Sequence, residues 1–536
     1  MHTTKSIFNK PIFLSILSGL LLFAAWPVSS FVFCIFFAFI PLLHLSSLPI
    51  SKLAYFGYIY LAMLIFNIST TWWIWYASEA GAYGAFIANS LLMTIPWLLY
   101  RSLLKVMHKY FALVGLIALW LTFEYLHLKD WGLSWPWLTI GNAFSTSTNL
   151  IQWYSYTGVA GGTLWVLGVN ALIYIYWTNK YKKIHAITTL TAIVVPIVTS
   201  SILYNYYTVN STLTKSPKYT IAVAQPNIDP YLKINEADFT TQLNTLITTS
   251  KQVIDSTTTL LLWPETGLYR AERFDEATLK TNEALAPLFD LLKQYPKLKI
   301  YTGIESYRIF NTPTVYSRTF TSSTIHYESY NGSILLDSSG VLAYYHKTKL
   351  VPGAETMPNF LNFLDAWVSD FGGTTNGYAP NLNQNPLVVN THIIIAPSIC
   401  YESIYGAFMS KYVHNGANLI SIITNDGWWR NTPGYKQHQS YAALRAIENG
   451  TWVARSANTG ISCFISPQGT TTQQLGYGVQ GALQATIPVF KIDTFYTSFP
   501  NLLYHIFSGI AIIIAIYFFY LIIKKKDKIV ITNQQS

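Results

Sequence analysis

Three short sequences in the second half of the chain set a carboxylate, an amine and a thiol where such groups do chemistry. Trp263-Pro264-Glu265-Thr266 ends the apolar run Leu260-Leu261-Leu262 with a carboxylate at its C-terminal tip. Tyr345-His346-Lys347-Thr348-Lys349-Leu350-Val351-Pro352 puts two lysines beside an apolar turn. Pro397-Ser398-Ile399-Cys400-Tyr401-Glu402 follows a strand expected over 392–396 and leads into a helix expected over 401–415. Functional groups of α/β sheets gather at the C-terminal ends of strands, and a helix N-terminus stabilises a cysteine thiolate. So placed, Glu265 could act as base, Cys400 as nucleophile and Lys347 as the cation that holds a tetrahedral oxyanion. Each also has an ordinary structural reading: a packing cysteine, a loop cap and a solvated lysine.

The elements that must position these groups are short β-rich runs alternating with amphipathic helical windows. Strands are expected over 219–224, 259–263, 299–304, 332–336, 392–396, 418–423 and 451–457. Helices are expected over 239–254, 282–294, 401–415 and 438–449, the last stopped by Gly450. Strand–helix alternation over nearly 300 residues predicts sheets covered by helices.

The rest of the chain has a different texture. It has 536 residues, 51% hydrophobic and only 11% charged, with a net charge of +10, against about a quarter charged in ordinary soluble domains. Eight apolar stretches, near 12–26, 31–48, 53–73, 84–104, 110–126, 157–177, 187–203 and 502–523, approach the ~20 residues that cross a bilayer as a helix. With the N-terminus inside, thirteen lysines and arginines fall in inside segments and only Lys129 in a short outside loop, a strong positive-inside asymmetry. The membrane part carries the whole +10, and the long segment between about 205 and 500 balances 20 basic against 20 acidic residues. No basic surplus remains there to attract nucleic acid. The first stretch reads as a retained signal anchor, because Ala24-Ala25-Trp26-Pro27 is a poor cleavage pattern. The expected organisation is a seven-helix transmembrane domain (1–205), an extramembrane catalytic domain (215–495), an eighth transmembrane helix (500–523) and a basic tail inside (524–536).

Taken together, the Glu, Lys and Cys contexts resemble the nitrilase superfamily, whose triad comes in this chain order. The resemblance runs from Lys218 to about Thr486 and includes Ala224-Gln225-Pro226-Asn227, Arg445-Ala446-Ile447-Glu448-Asn449 and Ala457-Asn458-Thr459-Gly460. With seven helices before the domain and one after, the chain is similar to that superfamily's membrane-embedded apolipoprotein N-acyltransferases. The resemblance implies an αββα sandwich with Glu265, Lys347 and Cys400 as its triad, and Glu355 and Glu402 as supporting carboxylates. It implies a bacterial inner-membrane enzyme with both termini cytoplasmic and the catalytic domain periplasmic. Its acyl donor would be a phospholipid and its acceptor a diacylglyceryl-modified apolipoprotein. A monomer is expected in the bilayer, with no nucleic-acid partner and no cofactor. One departure stands out: the family's LVPFGE reads Leu350-Val351-Pro352-Gly353-Ala354-Glu355 here, which keeps the carboxylate but removes a Phe.

Apolar arms over the acyl chain are expected from Phe360-Leu361-Asn362-Phe363 with Trp367 and from Phe371-Gly372-Gly373-Thr374-Thr375-Asn376-Gly377, and Trp428-Trp429 invites the same comparison. Lys349 reads as a loop cation, Cys34 as packing, and Cys463 as a thiol that could pair with Cys400 outside the cytoplasm. A nucleophilic Cys400 must be free. No His/Cys/Asp set has metal-ligand spacing along the chain, so no metal is expected. Two rivals stay open: a membrane-tethered amidase or nitrilase acting on a small C–N bond, and a transporter or sensor. The latter would need charges lining a path through the bilayer, where Glu124 stands nearly alone.

Overall fold

The computed structural model describes residues 10–29, 31–129, 131–132, 134–209, 216–235, 238–320, 323–356 and 377–534. Residues 360–363, 367 and 371–376 of the expected arms lie outside them.

Six described helices are long and apolar enough to cross a membrane: Lys52–Tyr76, Glu79–Leu104, Lys109–His127, Tyr154–Thr178, Lys183–Tyr207 and Leu502–Lys525. The first two of the eight expected spans are shorter. Pro11–Ala24 is a 14-residue helix, and the second stretch breaks into a 3₁₀ turn, Val32–Phe36, and an α-helix, Ile40–Ser47. Pro41, at the start of the latter, has no N–H to carry a continuous helix through the break. One side chain bridges the break: Asn170 Nδ2 donates to the Ile35 carbonyl at 2.9 Å, and Asn170 Oδ1 accepts from the Phe39 N–H at 2.9 Å.

Among the described residues the extramembrane layers are built from 14 strands: β1 (Lys218–Gln225), β2 (Thr258–Leu262), β3 (Phe274–Asp275), β4 (Lys299–Phe310), β5 (Arg318–Thr319), β6 (His326–Asp337), β7 (Gly340–His346), β8 (Leu387–Val388), β9 (Ile394–Ile399), β10 (Leu419–Thr424), β11 (Trp452–Ala457), β12 (Cys463–Ile465), β13 (Thr471–Gln474) and β14 (Gly481–Pro488). One sheet runs β14-β1-β2-β4-β6-β5, with β3 on β4 and β7 on β6; the other runs β13-β12-β11-β10-β9-β8. Strand periodicity divides the first sheet cleanly. Ile221, Val223, Leu260 and Leu262 share one core with Ile395, Ile420 and Val453 of the second sheet. Their neighbours Ala222, Ala224, Leu261 and Trp263 turn outward, onto Leu243 and Leu246 of the Phe239–Lys251 helix and Leu288 and Leu291 of the Ala286–Gln294 helix. Gly406–His414 and Pro433–Asn449 cover the outer face of the second sheet, completing the αββα sandwich.

Pro433–Asn449 also lies on the membrane helix Tyr154–Thr178. Trp26 Nε1 donates to the Tyr441 hydroxyl at 3.1 Å, Trp137 Nε1 to Gln437 Oε1 at 2.8 Å, and Gln437 Nε2 to the Thr70 carbonyl at 3.1 Å. One continuous core therefore runs from the helices Pro11–Ala24 and Lys52–Thr71 into the sheets.

Candidate active site

Glu265 stands just past the C-terminal end of β2, in a loop pressed against β4. The closeness depends on Gly303 of β4: a Cβ there would come within 2.7 Å of Glu265 Cα and 2.5 Å of the Thr266 nitrogen. Lys347 follows β7, a strand absent from the sequence-based expectations, and its side chain is 1% exposed. Its Nζ lies 3.2 Å from Glu265 Oε1 and 2.7 Å from Glu355 Oε1. Asn331 on β6 ties the two acids together, its Nδ2 donating to Glu265 Oε1 at 3.0 Å and Glu355 Oε1 at 2.8 Å. The Asn425 N–H donates to Glu265 Oε2 at 3.1 Å. Burial opposes the charge on Lys347, yet Glu265 and Glu355 hold its pKa well above the ordinary lysine value.

Cys400 sits at the end of β9, a strand that starts two residues later than expected and continues through Pro397. Past Ile395 only β10 pairs with it, which leaves Pro397 one side without a ladder bond to make. Cys400 adopts φ +52°, a left-handed conformation that costs a non-glycine residue of order 1–2 kcal/mol. The single helix expected over 401–415 is a five-residue 3₁₀ turn, Cys400–Ile404, followed by a separate α-helix, Gly406–His414. A long helix dipole therefore does not lower the thiol pKa. Desolvation and the Glu265 carboxylate push the Cys400 thiol well above its ordinary value, against the pull of Lys347, and Asp426 adds to the rise. The thiolate is thus disfavoured here, whereas the charge on Lys347 is favoured. All three cysteines are free thiols.

Glu402 braces the site from below. Its carboxylate accepts from the Ile399 and Thr348 N–H groups at 2.8 and 2.6 Å, from the Lys349 N–H at 3.1 Å and from the Tyr345 hydroxyl at 2.7 Å, fastening the Lys347 loop to the Cys400 turn. Burial nonetheless raises its pKa to about 7.

A second buried network was not legible along the chain. His438 Nε2 lies 3.1 Å from the Cys400 carbonyl and 2.9 Å from Ser403 Oγ, and its Nδ1 lies 2.9 Å from Asp426 Oδ1. Arg455 Nη2 donates to Asp426 Oδ2 at 2.6 Å. Against burial, Arg455 and His438 hold the Asp426 pKa at about 2. Folding thus brings Cys400, Asp426 and His438 within 4.8 Å of one another, a grouping that linear spacing gave no hint of. The donor set fits a metal poorly, because Asp426 and His438 already bind each other and a guanidinium occupies the second carboxylate oxygen. The network instead clamps the backbone of the turn that carries Cys400.

Cys400 opens onto an apolar cavity of about 230 Å³. Membrane helices supply Trp73, Gly81, Gly84 and Ala88 to its wall, and Trp135, Trp137 and Trp429 close its side. Gly353 and Ala354, where the family motif carries a Phe, line it too. The Gln225-Pro226-Asn227 motif serves the sandwich: Gln225 Oε1 accepts from the Ser462 N–H at 3.0 Å, and the Asn227 N–H donates to the Asn458 carbonyl at 2.8 Å.

An αββα sandwich with a carboxylate, an ammonium and a thiol at one end of its sheets, seated on apolar helices, defines a membrane-embedded nitrilase-like enzyme. Residues 220–495 match the carbon-nitrogen hydrolase family, and residues 18–172 match the apolipoprotein N-acyltransferase N-terminal domain. The chain belongs to the carbon-nitrogen hydrolase family, in its membrane acyltransferase branch. It is 27% identical to an apolipoprotein N-acyltransferase of Chlorobaculum tepidum over 95% of this chain and 97% of that one. It is 28% identical to an apolipoprotein N-acyltransferase of Rickettsia prowazekii over 74% of each chain. Among solved structures, Saccharomyces cerevisiae Nit3, of the nitrilase superfamily, aligns with 53% of this chain and 94% of its own, at 15% identity and a TM-score of 0.37.

Proposed function

We propose that this acyltransferase moves a fatty acyl chain from a membrane phospholipid to the α-amine of the S-diacylglyceryl cysteine of an apolipoprotein, through a thioester on Cys400. The observation that carries the reading is the apolar cavity beside Cys400, whose wall is shared between the sandwich and the membrane helices. A site built for a small C–N substrate has no use for such a wall; an acyl chain drawn from a bilayer does.

In the first half-reaction Glu265 takes the Cys400 thiol proton, and the thiolate attacks the ester carbonyl. Lys347 faces the oxyanion, pre-charged by its two carboxylates. Collapse breaks the ester C–O bond, and Glu265 returns its proton to the departing lysophospholipid alkoxide. In the second, the lipoprotein amine attacks the thioester, Glu265 takes the amine proton, and the C–S bond breaks to give the amide and the Cys400 thiolate, which is reprotonated. Splitting the transfer through a covalent intermediate replaces one hard step with two easier ones. Both substrates are anchored in lipid, so a site at the bilayer surface meets them at high effective concentration, and the apolar cavity keeps water from the thioester. The positive-inside asymmetry supports a periplasmic sandwich with both termini in the cytoplasm.

Replacing Cys400 with Ala and reading a lipoprotein's N-terminus by mass spectrometry tests the proposal, in cells with no other such acyltransferase. Loss of the N-acyl group at normal enzyme levels is expected; its persistence would overturn the assignment.

A further inference from the structure

A second cavity, of about 300 Å³, lies at the junction of the sandwich and the membrane helices, and the mechanism above leaves it unused. Its walls differ in character from those beside Cys400. Among the described residues, Lys129, Lys349, Arg445 and the carboxylate of Glu448 line it. Lys129 Nζ rests 4.2 Å from the centre of the Tyr125 ring, and Lys349 Nζ 5.6 Å from that of Tyr405, so tyrosine faces in the same wall support both ammonium groups. Arg445 is 1% exposed. Its Nη1 donates to the Ile404 carbonyl at 2.7 Å and its Nε lies 2.8 Å from Glu448 Oε2, while its Nη2 is buried with no hydrogen-bond partner among the described residues. An orphaned guanidinium N–H is costly unless something accepts from it. The other Glu448 oxygen accepts from the Val159 N–H at 3.1 Å, just past the Gly158 kink of the membrane helix. Gly406 leaves room here: a Cβ would come within 2.6 Å of the Tyr496 hydroxyl and 2.8 Å of Glu448 Oε2.

Three chain segments border both cavities. Ser134, Trp135 and Trp137 line the apolar one while Lys129 and Thr139 line the polar one; Val351–Ala354 contrast with Lys349 in the same way, as do Cys400 and Tyr401 with Ile404 and Tyr405. The 3₁₀ turn from Cys400 to Ile404 thus leads from one to the other, and at ~2 Å per residue it spans roughly 8 Å. That is on the scale of the few bonds separating an acyl ester from the phosphate of a glycerophospholipid. Among the described residues that line it stand two lysines, an arginine and one carboxylate, a set that suits an anion with several oxygens, and lysines with an arginine are the usual phosphate donors.

We propose that this cavity is the phosphate subsite of the acyl donor: Lys129 and Lys349 meet the phosphodiester oxygens, and Arg445 Nη2 closes the back. The proposal rests on the acyl-donor reading, but its test does not require turnover.

Full-length Cys400→Ala protein in detergent micelles is examined by native mass spectrometry, alone and with Lys129→Ala/Lys349→Ala or Lys129→Arg/Lys349→Arg added. The probes are phosphatidylethanolamine, diacylglycerol with the same chains, and inorganic phosphate as competitor. Phosphatidylethanolamine retention is expected to fall about tenfold in the Ala pair and to recover in the Arg pair, with diacylglycerol retention unchanged. Displacement of the phospholipid by millimolar phosphate, in the parent only, would mean that the site recognises the free anion as well; lack of displacement would make it a lipid headgroup site. Equal phosphatidylethanolamine retention by the parent and a folded Ala pair would overturn the proposal, as would an equal fall for diacylglycerol. Because Cys400→Ala forms no thioester, either answer leaves the acyl-transfer reading to its own experiment.

Discussion

Lys347 owes its charge to company: a buried ammonium survives here because two carboxylates and a bridging amide are arranged round it. The same logic gives Glu402 a measurable signature. Its folded pKa of about 7 lies above its ordinary value of 4.5. Its contribution to stability is therefore complete below about pH 4.5 and is lost as the pH rises through about 7, on the order of 3 kcal/mol in all. Glu402→Gln should lower the unfolding midpoint in detergent and flatten its decline between pH 5 and 7.5. A variant that declines as steeply as the parent would show that Glu402 does not titrate there. His438 acts one step from the chemistry, holding the Cys400 carbonyl of a strained turn. His438→Ala is expected to lower kcat about 10²-fold, the scale of a small misplacement of a reacting group, with the donor KM nearly unchanged. A rise in KM alone would assign the residue to binding. The sequence made Glu265, Lys347 and Cys400 readable because each sits in a short local context. Asp426, His438 and Arg455 lie 12 and 17 positions apart on a turn, a helix and a strand, and buried polar residues carry no period that would announce their meeting.

At the scale of elements, the break between Val32–Phe36 and Ile40–Ser47 shows how a helix interruption is tolerated among apolar segments: one side chain bridges it, taking up the Phe39 N–H and adding a donor to the Ile35 carbonyl. Asn170→Leu strands the buried Phe39 N–H, and at about 1–3 kcal/mol for such a group should destabilise the protein by that much, read as a lower unfolding midpoint in the same detergent. An unchanged midpoint would mean that solvent reaches the break. Hydropathy could not foresee this interruption, since 31–43 is apolar throughout and only Pro41 marks it. The central strands β1, β2, β4, β10 and β11 were legible as apolar runs. The edge strands β13 (Thr-Thr-Gln-Gln), polar and mostly exposed, and β14, half-buried with no clean alternation, were not. The helix read over 401–415 splits because Glu402 binds the Ile399 N–H and winds the first turn tightly, an interaction invisible to a 3.6-residue period.

For the whole molecule, the orientation is open to direct measurement. A fluorescent protein that folds only in the cytoplasm should fluoresce when fused after Ser536 and stay dark when inserted in the loop between β13 and β14; the reverse pattern would invert the topology. The composition located the two halves, but it could not tell how firmly they are joined. Their joint is not a hinge: Trp26, Trp137 and Thr70 hold the Pro433–Asn449 helix directly, and one core runs through both. That union bears on biogenesis. A nascent sandwich not yet threaded to its helices lacks Trp73, Gly81 and Gly84, and with them part of the chamber beside Cys400. Membrane insertion is then the enzyme's own maturation step. Under the proposed mechanism, a polypeptide stranded in solution would have its thiol but only part of the wall that would keep water from an acyl group there.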